Sequence, residues 1–352
     1  MLGDGHGFDP VVHANALGGE QEIRMRMTMR LKRAGHDIRQ VFRNLVTIDL
    51  GGGTEDTLLL AGSRRSGTTW LSTVINYRRK LRYVFEPLHS EFVPECRGRP
   101  MFQYVRPDAT DPALKDLLDR LLSGKVSNRW TNRENQCRIS RKRLVKIVRA
   151  NFMLKYIRRE FPRMPIVFVL RHPCAVAASQ LRTPRGKTVP IEEQLEQSKL
   201  VEDHLAPFLD TMTGREDLFE RQIVWWCMEN YVPLRQLESG DAHVVFYETM
   251  CTQPEGELES LFGFLGLKLD EGVWKQFRRP SSMSGGWSAI RHGQDLIESW
   301  RKRVSESQVK EAVRIIESFG LGHVYGAESM PRTPAAELLR PSGSEGQRLS
   351  AP

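Results

Sequence analysis

The apolar run Leu58-Leu59-Leu60-Ala61 stops at Gly62, and a short polar loop, Ser63-Arg64-Arg65-Ser66-Gly67, leads into Thr68-Thr69-Trp70-Leu71. Trp70 and Leu71, with Val74 and Ile75, fall on one face of a helix that opens at Thr68. A strand, a tight loop and a helix start make a cradle for an anion. Unpaired N–H groups at the helix N-terminus point at the ligand, and the helix dipole favours negative charge there. The spacing Gly62-x4-Gly67 is that of a phosphate-binding loop. Where such loops carry Lys after the second Gly, this one carries Thr68, and the nearest cations, Arg64 and Arg65, stand inside the loop. The stretch is therefore expected to hold a phosphorylated ligand other than an ordinary nucleoside triphosphate.

The chain of 352 residues is long enough for one large domain or two modest ones. Lys and Arg number 52 against 43 Asp and Glu, a net charge of +9. Such an excess favours anionic partners, or it is no more than a basic surface. Nucleic acid is set aside, because the basic residues do not alternate with aromatics. The five cysteines are scattered and odd in number, with no C-x-x-C. That argues against a metal site or a disulfide framework and for a reduced, cytoplasmic setting. No signal-peptide core is evident, and no stretch approaches the ~18 apolar residues needed to span a bilayer.

Three regions follow from composition. Residues 1–50 form an N-terminal arm with a basic, loosely amphipathic helix over 25–46. Two readings of that helix stand, docking on the main domain or peripheral contact with a membrane surface. The main domain spans 51–327 and opens at Gly51-Gly52-Gly53; from 328 the tail is rich in Pro, Ser and Gly and is expected to be disordered. A helix running to about residue 80 and a strand over 82–85 follow the phosphate loop. Glu86-Pro87 ends that strand. Pro87 is expected to hold Glu86 extended, at the edge where parallel α/β sheets bind ligands.

Residues 91–140 are expected to make an excursion over that edge, with a helix at 111–122. A strand at 144–148 and a helix at 152–161 come next. The clearest buried strand is 166–170, Ile-Val-Phe-Val-Leu, which runs into Arg171-His172-Pro173 and a helix over 174–181 carrying Ser179. Arg171 offers an anion a planar fork, and Ser179 adds a hydroxyl. Helices at 191–208 and 218–238 follow, with Trp225-Trp226 in the second read as core or pocket wall. A strand at 244–246 ends in Tyr247-Glu248, and a helix over 255–265 stops at Gly266. The Ser/Gly-rich stretch 281–294 reads as a lid, with Arg291 closing over a nucleotide. A last amphipathic helix covers 305–319. This alternation predicts one P-loop-like, doubly wound α/β domain, a central parallel sheet flanked by helices.

Taken together, the motif 63–71 resembles the 5′-phosphosulfate loop of sulfotransferases that use 3′-phosphoadenosine 5′-phosphosulfate (PAPS), and 170–179 resembles their 3′-phosphate motif, with Arg171 and Ser179 eight apart. Phe246-Tyr247-Glu248 and Phe264-Leu265-Gly266-Leu267 are similar to the family's downstream pattern, so the resemblance covers roughly residues 57–326. Val84-Phe85-Glu86-Pro87-Leu88 and Val145-Lys146-Ile147-Val148-Arg149 are similar to the carbohydrate branch, of GlcNAc-6-O type.

The resemblance implies PAPS as donor, without a metal, and an acceptor hydroxyl on a glycan or a small molecule. It implies donor binding by Arg64, Arg65, Ser66, Gly67, Thr68, Thr69, Trp70, Arg171 and Ser179, with Arg291 from the lid. In it Arg65 neutralises the leaving oxygen and Glu86 takes the acceptor proton, with His89 as the next candidate base. Two departures stand out: the family's Asp after the second-motif Arg is His172 here, and the membrane anchor typical of the animal carbohydrate branch is not seen. A P-loop kinase or NTPase is the main rival reading, and it lacks its Lys after Gly67; a non-catalytic nucleotide binder on the same scaffold is another.

Overall fold

A computed structural model of the chain describes residues 47–183, 188–279 and 296–341. The basic helix expected at 25–46, the lid stretch 281–294 with Arg291, and the last eleven residues (342–352) lie outside the described residues. Two compact units divide the chain, Met1–Thr47 and Ile48–Pro352, and the second carries everything below. Its start falls before the glycine triplet rather than at it.

Five strands make the main sheet: β2 (Thr57–Gly62), β3 (Arg82–Phe85), β5 (Arg143–Ile147), β6 (Ile166–Leu170) and β7 (His243–Phe246). Their order is β3-β5-β2-β6-β7, and every neighbouring pair is parallel. Strands buried on both faces read as continuous apolar runs, and β2 and β6 do, with every residue buried. Alternate residues enter opposite cores. Leu59, Ala61, Val145, Phe168 and Phe246 join one cluster; Leu58, Leu60, Leu144, Val167 and Val245 join the other.

On the second face lie α1 (Thr68–Ile75), α6 (Tyr247–Thr252), α7 (Pro254–Phe264) and α8 (Glu271–Phe277). The first face is covered by α2 (Pro112–Leu122), α3 (Leu154–Glu160), α4 (Pro173–Gln180), α5 (Leu218–Gln236) and α9 (Glu306–Ser318). Helices on both faces of a parallel sheet are the doubly wound architecture. From β2 the chain winds to β3 and β5 on one side, then crosses to β6 and β7 on the other. The crevice between β2 and β6 is thus the topological switch point, where such sheets bind ligands.

Local rules account for the helix starts. Asp111 caps α2 by accepting from Leu114 N at 2.9 Å, with Pro112 in the first turn. Ser305 and Gln308 form a reciprocal capping box on α9. Several expectations are corrected. The first helix stops at Ile75, where Asn76 takes over its cap and binds Leu81 through its side chain at 2.7 and 3.0 Å. The helix expected at 191–208 is instead a series of short turns, the last of them, Ala206–Phe208, containing Pro207. Proline has no N–H to continue a helical ladder, which accounts for the break there. The segment from 328 is ordered through 341: Leu338 and Leu339 are buried, and Arg340 makes a parallel bridge to Glu238. Among the described residues no helix is long and apolar enough to cross a membrane.

Ahead of the sheet, β1 (Ile48–Asp49) pairs in parallel with β4 (Ile139–Ser140). Asp49 Oδ2 accepts from Arg82 Nη1 at 2.8 Å and from Arg143 Nε at 2.6 Å, and both arginines are nearly fully buried. Arg143 also donates to the carbonyls of Gly51 and Gly53, at 2.9 Å each. One carboxylate is therefore shared by two guanidiniums at the start of β3 and β5, and backbone carbonyls take up further donors of both. Removing one partner of a buried ion cluster leaves charge uncompensated, at ~3–5 kcal/mol. Asp49→Asn is expected to lower the unfolding free energy read from chemical denaturation by that order, and an unchanged value would remove the anchoring role.

Candidate active site

The loop after β2 is shaped by close approach. A Cβ on Gly62, which sits at φ +145°, would lie 2.5 Å from the Val169 carbonyl of β6. At Gly67, φ +100°, it would lie 2.6 Å from the Tyr247 ring. Only glycine serves either position. Between them Ser66 turns inward, its N and Oγ both donating to Ser63 O, at 3.2 and 2.7 Å. Leu71 N donates to Gly67 O at 2.9 Å, so the N–H groups of Thr68 and Thr69 stand ahead of the first intrahelical bond. Arg65 takes a left-handed conformation, φ +69°, rare for a residue with a side chain.

Arg65 and Arg171 converge across the switch point. Arg171 Nη1 donates to the carbonyl of Arg65 at 3.1 Å, and Arg65 Nε donates to Ser179 Oγ at 2.9 Å. The Arg171 guanidinium lies 4.1 Å from the centre of the Tyr247 ring, the same ring that closes on Gly67. Its Nε is buried with no hydrogen-bond partner. Burial first, and then the charges of Arg171, Arg64 and Arg182, hold the Arg65 pKa below its ordinary value. Among the described residues neither Arg65 nor Arg171 has a carboxylate partner. Two guanidiniums so placed, one with an orphaned donor, suit an anionic ligand.

Trp70, expected at the donor site, is buried; its ring packs edge-on against Tyr247 and Phe277, and its indole N–H donates to Phe277 O at 3.2 Å. Tyr247 is marked in the sequence as a strand end and as part of the downstream pattern, but not as a donor-site residue.

Glu86 stands in a second cluster. It is not extended, as Pro87 would require, but left-handed, φ +45°. That conformation is costly for any side chain and more so before proline. It is over-determined by its surroundings. Glu86 N donates to Lys146 O at 2.9 Å, while its carbonyl accepts from Trp130 Nε1 at 3.1 Å and from His89 N at 3.2 Å. Its carboxylate accepts from Lys146 Nζ at 2.6 Å, Arg149 Nη1 at 2.9 Å and Val148 N at 3.1 Å. Burial raises its pKa, but Lys146 and Arg149 outweigh this and hold it below the ordinary value. Lys146 stands out in the sequence as the one charge within the run 144–148. His89 is buried among aromatics, its ring 4.6 Å from Phe92 and 4.8 Å from Trp130.

A sequence model of the sulfotransferase family matches residues 58–271. The chain belongs to that family. No curated protein matches it. Among solved structures it is similar to the sulfotransferase domain of the curacin biosynthetic pathway, at 17% identity over 77% of this chain and 98% of that one, TM-score 0.42. It is also similar to mouse sulfotransferase SULT7A1 complexed with PAP, at 12% identity over 77% and 85%, TM-score 0.41. A third is sulfotransferase STF9 of Mycobacterium avium, at 12% identity over 76% and 77%, TM-score 0.39.

His172, which departs from the sulfotransferase pattern, has a structural role. Its Nδ1 accepts from Cys174 N at 3.2 Å and so caps α4, while Nε2 lies 3.1 Å from the Gly326 carbonyl. The ring is stacked on Trp300 at 4.7 Å and is neutral, because burial pushes its pKa down to about 4. Below pH 6.5 the unfolded chain therefore binds a proton that the fold refuses. Stability from this group is complete above 6.5 and declines as pH falls toward 4, by about 3 kcal/mol in all. His172→Asn, which keeps a capping oxygen, is expected to flatten the fall in urea midpoint between pH 6.5 and 4. His204, also pushed down to about 4 by burial, and His243, pushed down by the same cause, would add to the remaining slope.

Proposed function

We propose that the protein is a PAPS-dependent sulfotransferase acting on a hydroxyl, with a glycan or small-molecule acceptor. The observation that carries this reading is the convergence of Arg65, Arg171 and Ser179 at the switch point, with neither arginine in an ion pair among the described residues. PAPS, held there, supplies the sulfuryl group. Arg171 and Ser179 take the 3′-phosphate. The N–H groups of Thr68 and Thr69 and the hydroxyl of Thr69 take the 5′ end, and Arg64 stays on the loop rim. Arg65 gathers the charge that develops on the leaving oxygen, and losing one such donor typically costs ~10²–10³ in rate. Arg291, outside the described residues, is assigned a closing role over the donor by sequence alone.

Glu86 receives the acceptor proton. A carboxylate tied to Lys146 and Arg149 is a weak base, so the transfer comes late, once the acceptor oxygen has begun to bond to sulfur and has grown acidic. The carbohydrate preference rests on the segments 84–88 and 145–149, of which the second supplies all three partners of the Glu86 carboxylate, Lys146, Val148 and Arg149.

Glu86→Gln is expected to lower turnover by ~10²–10⁴ while leaving the affinity for 3′,5′-adenosine bisphosphate unchanged. Turnover near that of the parent chain would move the base elsewhere, with His89 the next residue to replace. Arg171→Ala is expected to weaken binding of the same bisphosphate by at least tenfold in calorimetry, with little change for adenosine 5′-phosphate. An equal loss for both ligands would overturn the 3′-phosphate assignment.

A further inference from the structure

Helix α5 brings a buried carboxyl beneath the loop that the proposed function does not use. Glu229 is 1% exposed, and its Oε1 has no hydrogen-bond partner. Next to it, Asn230 Nδ2 donates to Ser63 Oγ at 3.1 Å and so ties the first residue of the loop to the helix. The Ser63 side chain also bears on the Glu229 carboxyl. Asn151, just past β5, donates through Nδ2 to the Glu229 carbonyl at 3.1 Å, yet its own Oδ1 is buried without a partner. The Glu229 carboxyl thus lies fully buried with Oε1 unpartnered, a setting that disfavours its charged form.

The charged groups acting on Glu229 come from three elements: Arg64 on the loop after β2, Arg149 after β5, and Glu86 after β3. Glu229 therefore sits between the donor loop and the Glu86 cluster. Helix α4, which packs along α5, carries no charged side chain, and those of α3 and α9 are exposed or half-buried. Both arginines are already engaged. Arg149 is bonded to Glu86, and Arg64 stands on the loop meant for the donor. A second carboxylate here would face Glu86 and the incoming phosphosulfate with no cation of its own.

We propose that Glu229 is a positioning residue for the donor loop, which it supports as a neutral acid, so that nucleotide binding requires its proton. This rests on the reading of residues 63–69 as the donor site. Burial pushes the Glu229 pKa up to about 8, with Ser63, Arg64 and Arg149 opposing and Glu86 adding to the rise. The neutral form thus prevails at neutral pH. Deprotonation places a negative charge under the loop and weakens the donor.

The test is calorimetric affinity for 3′,5′-adenosine bisphosphate between pH 7 and 9.5, for the parent chain and for Glu229→Gln, with a thermal midpoint at each pH to confirm folding. For the parent chain, affinity is expected to fall above pH 8, approaching about tenfold per pH unit as one proton is lost. Glu229→Gln, a neutral isostere, should match the parent affinity at pH 7 and stay flat. An alkaline loss of the same size in Glu229→Gln, or a flat parent profile, overturns the role of Glu229 while leaving the donor site intact. No binding at any pH by either folded protein would instead overturn the donor-site reading, and the Glu229 proposal with it. A merely structural role for Glu229 would move the thermal midpoint and leave the affinity profile unchanged, which also counts against the proposal.

Discussion

Two guanidiniums held together with no ion-pair partner among the described residues are the constraint around which this fold is arranged. Arginine does not shed its charge, so Arg65 and Arg171 repel each other permanently, and more strongly in a buried crevice than in water. Neutral acceptors hold them instead: the Arg65 carbonyl, the Ser179 hydroxyl and the face of Tyr247. Each of these acceptors depends on further structure. Tyr247 reaches the loop because Gly67 has no side chain, and β2 approaches β6 because Gly62 has none. The start of α4 is fixed by His172, whose backbone N–H is in turn held by the buried Glu248 at 2.9 Å. An anion at this place relieves a repulsion that the rest of the domain is built to withstand.

The other side of the crevice is electrostatically different. Glu86, Lys146 and Arg149 satisfy one another and leave a single excess positive charge. Two carboxyl groups therefore have opposite fates within one site. Burial acts on both, but two cations and a backbone N–H hold Glu86 below the ordinary carboxylate range, whereas Glu229, with no such set of partners at hydrogen-bond distance, is pushed above it. Environments that drive two carboxyl groups apart in this way are how one fold separates an acceptor of protons from a neutral support. The left-handed backbone of Glu86 belongs to the same arrangement, since strain persists only where surrounding bonds fix it.

Much of the frame was legible in the chain. The uninterrupted apolar runs of β2 and β6 predict central parallel strands, and the Asp111-Pro112 start predicts α2 within a residue. Arg171 and Ser179 can be paired with the first loop because two strand–loop–helix junctions recur in order. The departures have physical causes. Asn76 offers its side chain to Leu81 and ends α1 early, a capping event hidden inside an otherwise helical pattern. Pro/Ser-rich composition conceals the packing of Leu338 and Leu339, because burial of two side chains against a distant element leaves no periodic trace. Pro87 argues for an extended Glu86, a local preference that the contacts of Lys146 and Trp130 override.

By itself the sequence determined the fold class, the two anion-binding junctions and the candidate carboxylate, because periodicity, glycine spacing and strand ends are local properties of the chain. Only the tertiary structure decided which charges compensate one another. Lys146 is sixty residues from Glu86, and Glu229 lies more than 160 residues beyond Ser63. Whether a buried acid keeps its proton depends on the partners that folding brings to it across such distances, and no local pattern carries that information.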